Sequence, residues 1–273
     1  MGQPGKFSMN VNPTMLGFAK KDKWVGPFVN SVGGRMANDI AEIHNNTTLP
    51  MAFSGVSKST VKTQATKHNL DWWYVDTGYI GNGLYKNWFR ISKNNYQVTT
   101  PIQTKPNDRL KNLRVDRTQF ARGNKIMVIP IDNKVAGAYN IVDADTWLQQ
   151  TVDTIKQYTD REIVIRQRPA SRETRFTTDT FVESLQKDIN AVVVWASNCG
   201  VEAVQHGIPV VSLGPSATTQ VSGKIEHIDN LLTVDKDLTE SWLRWLSYNQ
   251  FSKLEIESGA AWQILQQNYE CVN

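Results

Sequence analysis

Apolar positions along the 273-residue chain recur with two periods, which sort it into strands and helices. From residue 123 onward the alternation is regular. Val/Ile-rich runs predict strands over 125–129, 163–166, 191–195 and 209–213. Helical spacing predicts helices over 145–158, 178–187, 199–206, 239–248 and 253–267. Near-continuous apolar strands, each followed by a helix, fit a parallel sheet covered on both faces. The first 113 residues keep the same rhythm less cleanly. A strand over 24–29 runs through Gly33-Gly34 into a helix over 35–44 carrying Met36, Ile40 and Ile43. A strand over 51–56, a helix over 58–68 capped by Ser57, a strand over 72–75 and an extended piece over 88–91 follow.

The predicted class is α/β, with two Rossmann-like lobes and a C-terminal helical segment, a division that a chain of this length allows. Residues 1–22, rich in Gly, Pro, Asn and Lys without a period, read as a flexible tail. The lobes are expected at 23–113 and 114–250, with a closing helix at 251–273. Hydrophobic residues at 40% and charged residues at 21% belong to a folded globular chain. No window reaches the roughly 18 uninterrupted apolar residues of a membrane helix. The N-terminus also lacks a charged-then-apolar leader, so a cytoplasmic protein without a membrane partner is expected. Cys199 and Cys271 are then expected as free thiols. The net charge of +4 permits a polyanionic partner without demanding one. The nine tryptophans suit sugars or unstacked bases, although large aromatics are more often core.

Candidate chemistry concentrates where the run Val192-Val193-Val194-Trp195 enters Ala196-Ser197-Asn198-Cys199-Gly200. A buried strand that ends in small residues and opens a helix presents free N–H groups and a positive dipole end to an anion. Glu202 is placed in the first helical turn, where it can also accept hydrogen bonds from ribose or sugar hydroxyls. Ser197 or Asn198 serves equally as a plain helix cap, with Glu202 complementing the dipole.

Ser197-Asn198-Cys199-Gly200-Val201-Glu202-Ala203 through Gly207-Ile208-Pro209-Val210-Val211 resembles the donor-binding segment of GT-B glycosyltransferases, especially the capsular-polysaccharide and sialyl- or Kdo-transferase-like branches. The resemblance implies a nucleotide-sugar donor, UDP- or CMP-linked, bound on the C-terminal lobe without a metal. Arg166, Arg168, Ser197, Asn198, Cys199, Gly200 and Glu202 are then the donor-binding residues. Arg166-Gln167-Arg168-Pro169 stands where resembling transferases carry a basic or His-Pro turn, and guanidinium forks suit phosphate. Arg168 replaces a common histidine there. The acceptor-side lobe supplies the base, with Asp76, at a predicted strand end before a glycine loop, first and Asp39 second. Asp76 can also form a turn with its own backbone, and His44 shares the helix of Asp39. Trp72, Tyr79 and Arg90 are expected to meet the acceptor.

A weaker resemblance links Asp76-Thr77-Gly78-Tyr79 and Tyr248-Asn249-Gln250-Phe251 to bacteriophage proteins, some grouped with glycosyltransferases. It implies DNA modification, with a hydroxymethylated base of double-stranded DNA as acceptor and the host cytoplasm as setting. Other motifs lead elsewhere. Gly55-Val56-Ser57-Lys58-Ser59-Thr60 lacks the spacing of a phosphate loop, Asp143-Ala144-Asp145 reads as a helix cap, and the four histidines have no zinc spacing. His206 is placed at a helix end, against the last carbonyls. The leading expectation is therefore a metal-independent glycosyltransferase. A sugar-nucleotide epimerase or hydrolase, and a non-catalytic nucleic-acid-binding protein, are the alternatives.

Overall fold

The computed structural model describes residues 14–19, 24–55, 59–81, 87–113, 115–167 and 179–270, and within them the chain builds two sheets. The first runs in the order β10 (Gln250–Ser252), β5 (Trp88–Lys93), β4 (Trp72–Thr77), β3 (Met51–Phe53), β1 (Leu16–Phe18), β2 (Arg35–Met36). Strands β1 to β4 are parallel; β5 is antiparallel to β4, and β10 to β5. The second sheet, β7 (Ile163–Ile165), β6 (Lys125–Val128), β8 (Ile189–Val194), β9 (Val210–Ser212), is wholly parallel. The molecule is thus mixed α/β.

Alternation along the strands explains why both sheets are covered twice. In the second, Met127, Val192 and Val194 face α7 (Phe181–Leu185), α8 (Asn198–Gln205) and α9 (Lys236–Ser247), while Ile126, Val128, Ala191 and Val193 face α6 (Ala144–Ile155). In the first, Trp73, Val75, Phe89 and Ile91 pack on α1 (Val25–Ser31), α10 (Lys253–Glu257) and α11 (Ala260–Glu270). Met51, Phe53, Trp72 and Tyr74 pack on Ile43 of α2 (Ile40–Asn45) and on Val61 and Ala65 of α3 (Ser59–Lys67). Two short helices, α4 (Asp108–Asn112) and α5 (Asn133–Ala138), complete the set.

Several expectations need correction. The stretch expected as a first strand is α1: Val25, Phe28 and Val29 are its buried positions, a helical spacing, and Pro27 sits in the first turn, where no N–H is missed. The true first strand is β1, inside the stretch expected as tail, and Leu16 is buried there. Residues 35–44 are not one helix, because β2 takes Arg35–Met36 and Asp39 starts α2 only at Ile40. The single C-terminal helix is two, broken at Gly259, whose φ of 82° ends α10, and strand β10 precedes them. The Ser57 cap lies outside the described residues. Asp143 does cap α6, accepting the Thr146 N–H at 2.7 Å.

The chain leaves β6 toward β7 on one side and then crosses to β8 on the other. This reversal falls at the carboxyl ends of β6 and β8, the position where open parallel sheets hold ligands. The segment between the sheets is not a free linker. Val98, Leu110 and Leu113 join the core of the second sheet. The His206 ring does not turn to its own helix carbonyls; it bonds the Thr118 carbonyl at 2.7 Å and stacks on Phe120 at 4.5 Å.

The entry to β6 tolerates only glycine. A Cβ on Gly123 would lie 2.1–2.4 Å from backbone atoms of Asp188, which no side-chain motion relieves. Gly123→Ala is expected to cost about 1–3 kcal/mol, the usual range for overpacking. Gly137→Ala in α5, with nothing within 4 Å of the added methyl, should be neutral or stabilising. Denaturant melts of the two variants side by side check this.

Candidate functional site

This edge is built first by the start of α8. Ser197 is extended (φ −89°, ψ 144°), its hydroxyl accepts the Cys199 N–H at 3.2 Å and its carbonyl accepts the Gly200 N–H at 3.0 Å. Gly200 allows close packing beneath: an added Cβ would stand 3.2 Å from the Thr218 hydroxyl and 3.3 Å from Val194. Thr218 is itself held by Ser212 at 2.6 Å and Ser216 at 2.9 Å. Burial pushes the Cys199 thiol up to about 11, with the nearby Glu202 adding to it, so it stays protonated at neutral pH. Glu202 lies beyond the first turn, one position later than expected, because the helix begins at Asn198. Burial raises its carboxyl above the usual range, and Arg166 pulls the other way.

Arg166 follows β7 and is anchored at the start of α7. Its Nε donates to the Ser184 hydroxyl at 2.9 Å, one Nη donates to the Asp179 carbonyl at 2.8 Å, and the guanidinium lies over the Phe181 ring. Arg166, Ser197, Asn198, Cys199, Gly200 and Glu202 therefore share one edge of the second sheet. Arg168 lies outside the described residues.

From the first sheet, Asp76 ends β4 directly opposite Arg90 of β5. The Arg90 side chain is 6% exposed and bridges the two sheets: Nη2 donates to Asp76 at 2.9 Å, while Nη1 donates to the Thr77 carbonyl at 2.8 Å and to Asn198 Oδ1 at 3.1 Å. Burial works against its charge, but Asp76 and the phenols of Tyr79 and Tyr74 more than compensate, raising its pKa. Asn198 answers from α8, donating to the Gly78 carbonyl at 3.1 Å. Asp76 also accepts the Tyr74 hydroxyl at 3.1 Å and the Thr77 N–H at 2.7 Å. At 39% exposure this carboxylate keeps acceptor capacity for a further partner.

The other expected residues divide. Tyr79 packs under Arg90, 5.0 Å from ring centre to guanidinium, and its hydroxyl accepts the Val98 N–H. Trp72 does not join the cluster. It lies at the opposite end of β4, 5% exposed, packed on Phe53 and Tyr96. Asp39 caps α2 by accepting the Glu42 N–H at 2.9 Å, and β2 is three strands from β4, about 14 Å across the sheet. His44 is exposed on the same helix.

Sequence reasoning missed several residues at this edge. Gln97 donates to the Ala196 carbonyl at 3.0 Å, tying the segment after β5 to the turn before α8. Gln250, fully buried on β10, accepts the Tyr79 and Ile80 N–H groups at 2.8 and 3.1 Å and donates back to the Ile80 carbonyl at 2.8 Å. Tyr96, Tyr139 and Trp195 form an aromatic run beside Arg90. Trp195 had entered only as the residue leading into the turn and Gln250 only within the stretch resembling bacteriophage proteins; for Tyr96 and Tyr139 the aromatic richness of the chain was the one hint, and Gln97 gave none.

Among the described residues no three His, Cys, Asp or Glu side chains cluster as a metal site, and no helix is long and apolar enough to cross a membrane. No family model matches the sequence, and no curated protein does. Among solved structures the chain is similar to the β Kdo 2,4 transferase of Thermosulfurimonas dismutans KpsC, at 12% identity and a TM-score of 0.50, covering 86% of this chain and 91% of that one. It is equally similar to the β Kdo 2,7 transferase of the same KpsC, at 12% identity and 0.50, covering 93% and 99%. At such identity the likeness is one of fold.

Glu202 gives this edge a pH signature. Its raised pKa means that the folded state holds more protons than the unfolded one, so its ionisation costs stability as pH climbs above the ordinary value of 4.5. Glu202→Gln should match the parent in melting temperature below that pH and exceed it at neutral pH. Equal melting curves at both pH values would mean the carboxylate is solvated after all.

Proposed function

We propose that the protein is a glycosyltransferase of the two-lobed GT-B type, with the second sheet as the donor lobe and the first as the acceptor lobe. The observation that carries this reading is the meeting of Asp76 with the start of α8, through Arg90 and Asn198, at the carboxyl edges of two sheets. The fold likeness supports it, and the KpsC domains are themselves described as Kdo transferases. The expected lobes at 23–113 and 114–250 are extended in this reading, because β1, β10 and the C-terminal helices α10 and α11 all belong with the first sheet.

In this reading the donor is a UDP- or CMP-linked sugar whose phosphate lies at the positive dipole end of α8 and within reach of Arg166. Those groups stabilise the charge that develops on the departing phosphate without a metal. Asp76 takes the proton of the attacking hydroxyl through its remaining acceptor capacity. Asn198 and Arg90 hold the two halves at a fixed distance, a positioning role that displaces their direct parts in donor and acceptor binding. Glu202 remains a candidate for ribose hydroxyls. The acceptor is a hydroxyl compound, and a saccharide suits the site better than a base in double-stranded DNA, because Arg90 is buried and Trp72 is core, leaving neither to grip a duplex.

The test is incubation with UDP- and CMP-linked sugars together with saccharide acceptors and DNA containing hydroxymethylated bases, followed by mass spectrometry of the products. Sugar transfer to any of them supports the reading. Donor breakdown without an acceptor would instead indicate a hydrolase, and salt-sensitive DNA binding without turnover a binding protein.

Two variants assign the roles. Arg166→Ala should weaken nucleotide binding by roughly 1.5–3 kcal/mol, as for a lost hydrogen bond to a charged group; unchanged calorimetry would remove it from the donor site. Asp76→Asn should lower kcat by about 10²–10⁴-fold with donor affinity kept. It should also lower stability by about 1.5–3 kcal/mol by unpairing Arg90, less than for a fully buried pair. Turnover measured well below the variant's own melting temperature separates the two effects. Recovery of activity on cooling would make Asp76 structural.

A further inference from the structure

Three donors hold the Asp76 carboxylate, and they are divided unevenly between its oxygens. Oδ2 accepts Arg90 Nη2 at 2.9 Å and the Tyr74 hydroxyl at 3.1 Å, whereas Oδ1 accepts the Thr77 N–H at 2.7 Å. Each carboxylate oxygen offers about two lone-pair sites, so Oδ2 is filled among the described residues and the remaining capacity is on Oδ1. Arg90 would face Asp76 in any case, because it is also committed to the Thr77 carbonyl and to Asn198. Tyr74 is the donor whose placement calls for a reason.

Tyr74 and Asp76 stand two positions apart on β4 and so share one face of the sheet. The Tyr74 ring is buried, with Phe53 at 5.5 Å, Tyr96 at 5.0 Å and the Arg90 guanidinium at 5.9 Å, and it cannot swing aside without moving them. Burial, with Asp76 adding to it, raises its pKa above the ordinary 10.0, so the hydroxyl remains a donor. Most side-chain hydrogen bonds go to backbone or water, yet this buried phenol is aimed at a half-exposed carboxylate. The torsion that sets the carboxyl plane of an aspartate is broad and two-fold, so without a lock the two oxygens can exchange places. The other titratable or charged groups facing the pair are Arg90 from β5, Tyr79 from the loop after β4, Tyr96 from the segment after β5, Tyr139 at the end of α5 and Lys62 of α3. Burial raises all three phenols, with Tyr96 pushed up to about 12, so Asp76 is the one carboxyl in the group.

We propose that Tyr74 is a positioning residue for the transfer: by filling the second lone pair of Oδ2 it stops the carboxylate from turning over and leaves Oδ1 as the oxygen that takes the proton. The acceptor O–H bond breaks, its proton passes to Oδ1, and its electron pair allows the oxygen to bond to the sugar as the sugar–phosphate bond breaks and leaves its pair on the phosphate. The proposal rests on reading Asp76 as the base and deepens it by assigning the reacting atom and the side chain that selects it.

Tyr74→Phe in the full chain keeps the ring and removes the one bond. Tyr96→Phe takes a hydroxyl from the same aromatic cluster, one without a hydrogen-bond partner, and serves as the control. In the sugar-transfer assay Tyr74→Phe should lower kcat about three- to ten-fold with the donor KM kept, the size of one hydrogen bond. The acid limb of its pH–rate profile should move to higher pH, because a donor that favours the ionised carboxylate is gone. Tyr96→Phe should leave both where the parent has them. A second readout needs no turnover: with carbon-13-labelled aspartate, the infrared difference against Asp76→Asn isolates the Asp76 carboxylate band, which should shift in Tyr74→Phe and stay in place in Tyr96→Phe. The proposal is overturned if Tyr74→Phe keeps the parent's kcat and pH profile, or if Tyr96→Phe changes them as much, which would make the effect one of packing. When the parent transfers sugar and Tyr74→Phe behaves like it, the positioning role alone fails. When the parent transfers to no acceptor, the transfer reading fails, and the infrared band then decides by itself whether Tyr74 holds the carboxylate; an unmoved band overturns that as well.

Discussion

A guanidinium taken out of water between two sheets is the constraint on which the rest of this arrangement depends. Burying a charge is tolerable only when its counter-ion and hydrogen-bond acceptors are held in place, and Arg90 recruits three of them from two separate stretches of chain: Asp76 and the Thr77 carbonyl at the end of β4, and Asn198 at the start of α8. The planar fork reads all three at once, which a lysine's point charge would not do. One side chain thereby sets the end of β4, the loop after it and the first residue of α8. The two sheets meet with a defined spacing at this point.

The reciprocity of Asn198 extends this. Its amide accepts from Arg90 and donates to Gly78, so displacement of α8 is felt at Asp76 through two bonds of opposite direction. The same edge is short of charge in its depth: a protonated thiol, a carboxyl that burial drives toward its neutral form, and Arg166 as the cation in electrostatic reach of both. A negatively charged group arriving at α8 therefore meets a dipole and an arginine with little competition from resident anions.

How far this was legible in the sequence depended on locality. The turn at Ser197 to Gly200 could be read because a fully buried strand, small residues and a helix start occupy consecutive positions, and the regular alternation after Gly123 located the second sheet for the same reason. The run over 24–29 misled because six apolar-rich residues fit a strand or a short helix equally well. Strand β1 was invisible, being three residues long beside a polar stretch. The Asp76–Arg90 pairing depends on an antiparallel register across 14 positions, which sequence spacing does not encode. Trp72 shows the converse: its neighbours suggested an exposed stacking ring, but its place at the buried start of β4 made it core.

Strand β10 pairs with β5 some 160 residues earlier, and from it Gln250 holds the backbone of Tyr79 and Ile80. Contacts of such high sequence separation form late, because the chain must first lose the entropy of closing a long loop. During synthesis, the loop beside Asp76 therefore waits unbraced until β10, some 160 residues after β5, has been made. The chain can assemble its second sheet while the edge of its first is still open, and the side chain that braces that edge arrives only after the second sheet has been made.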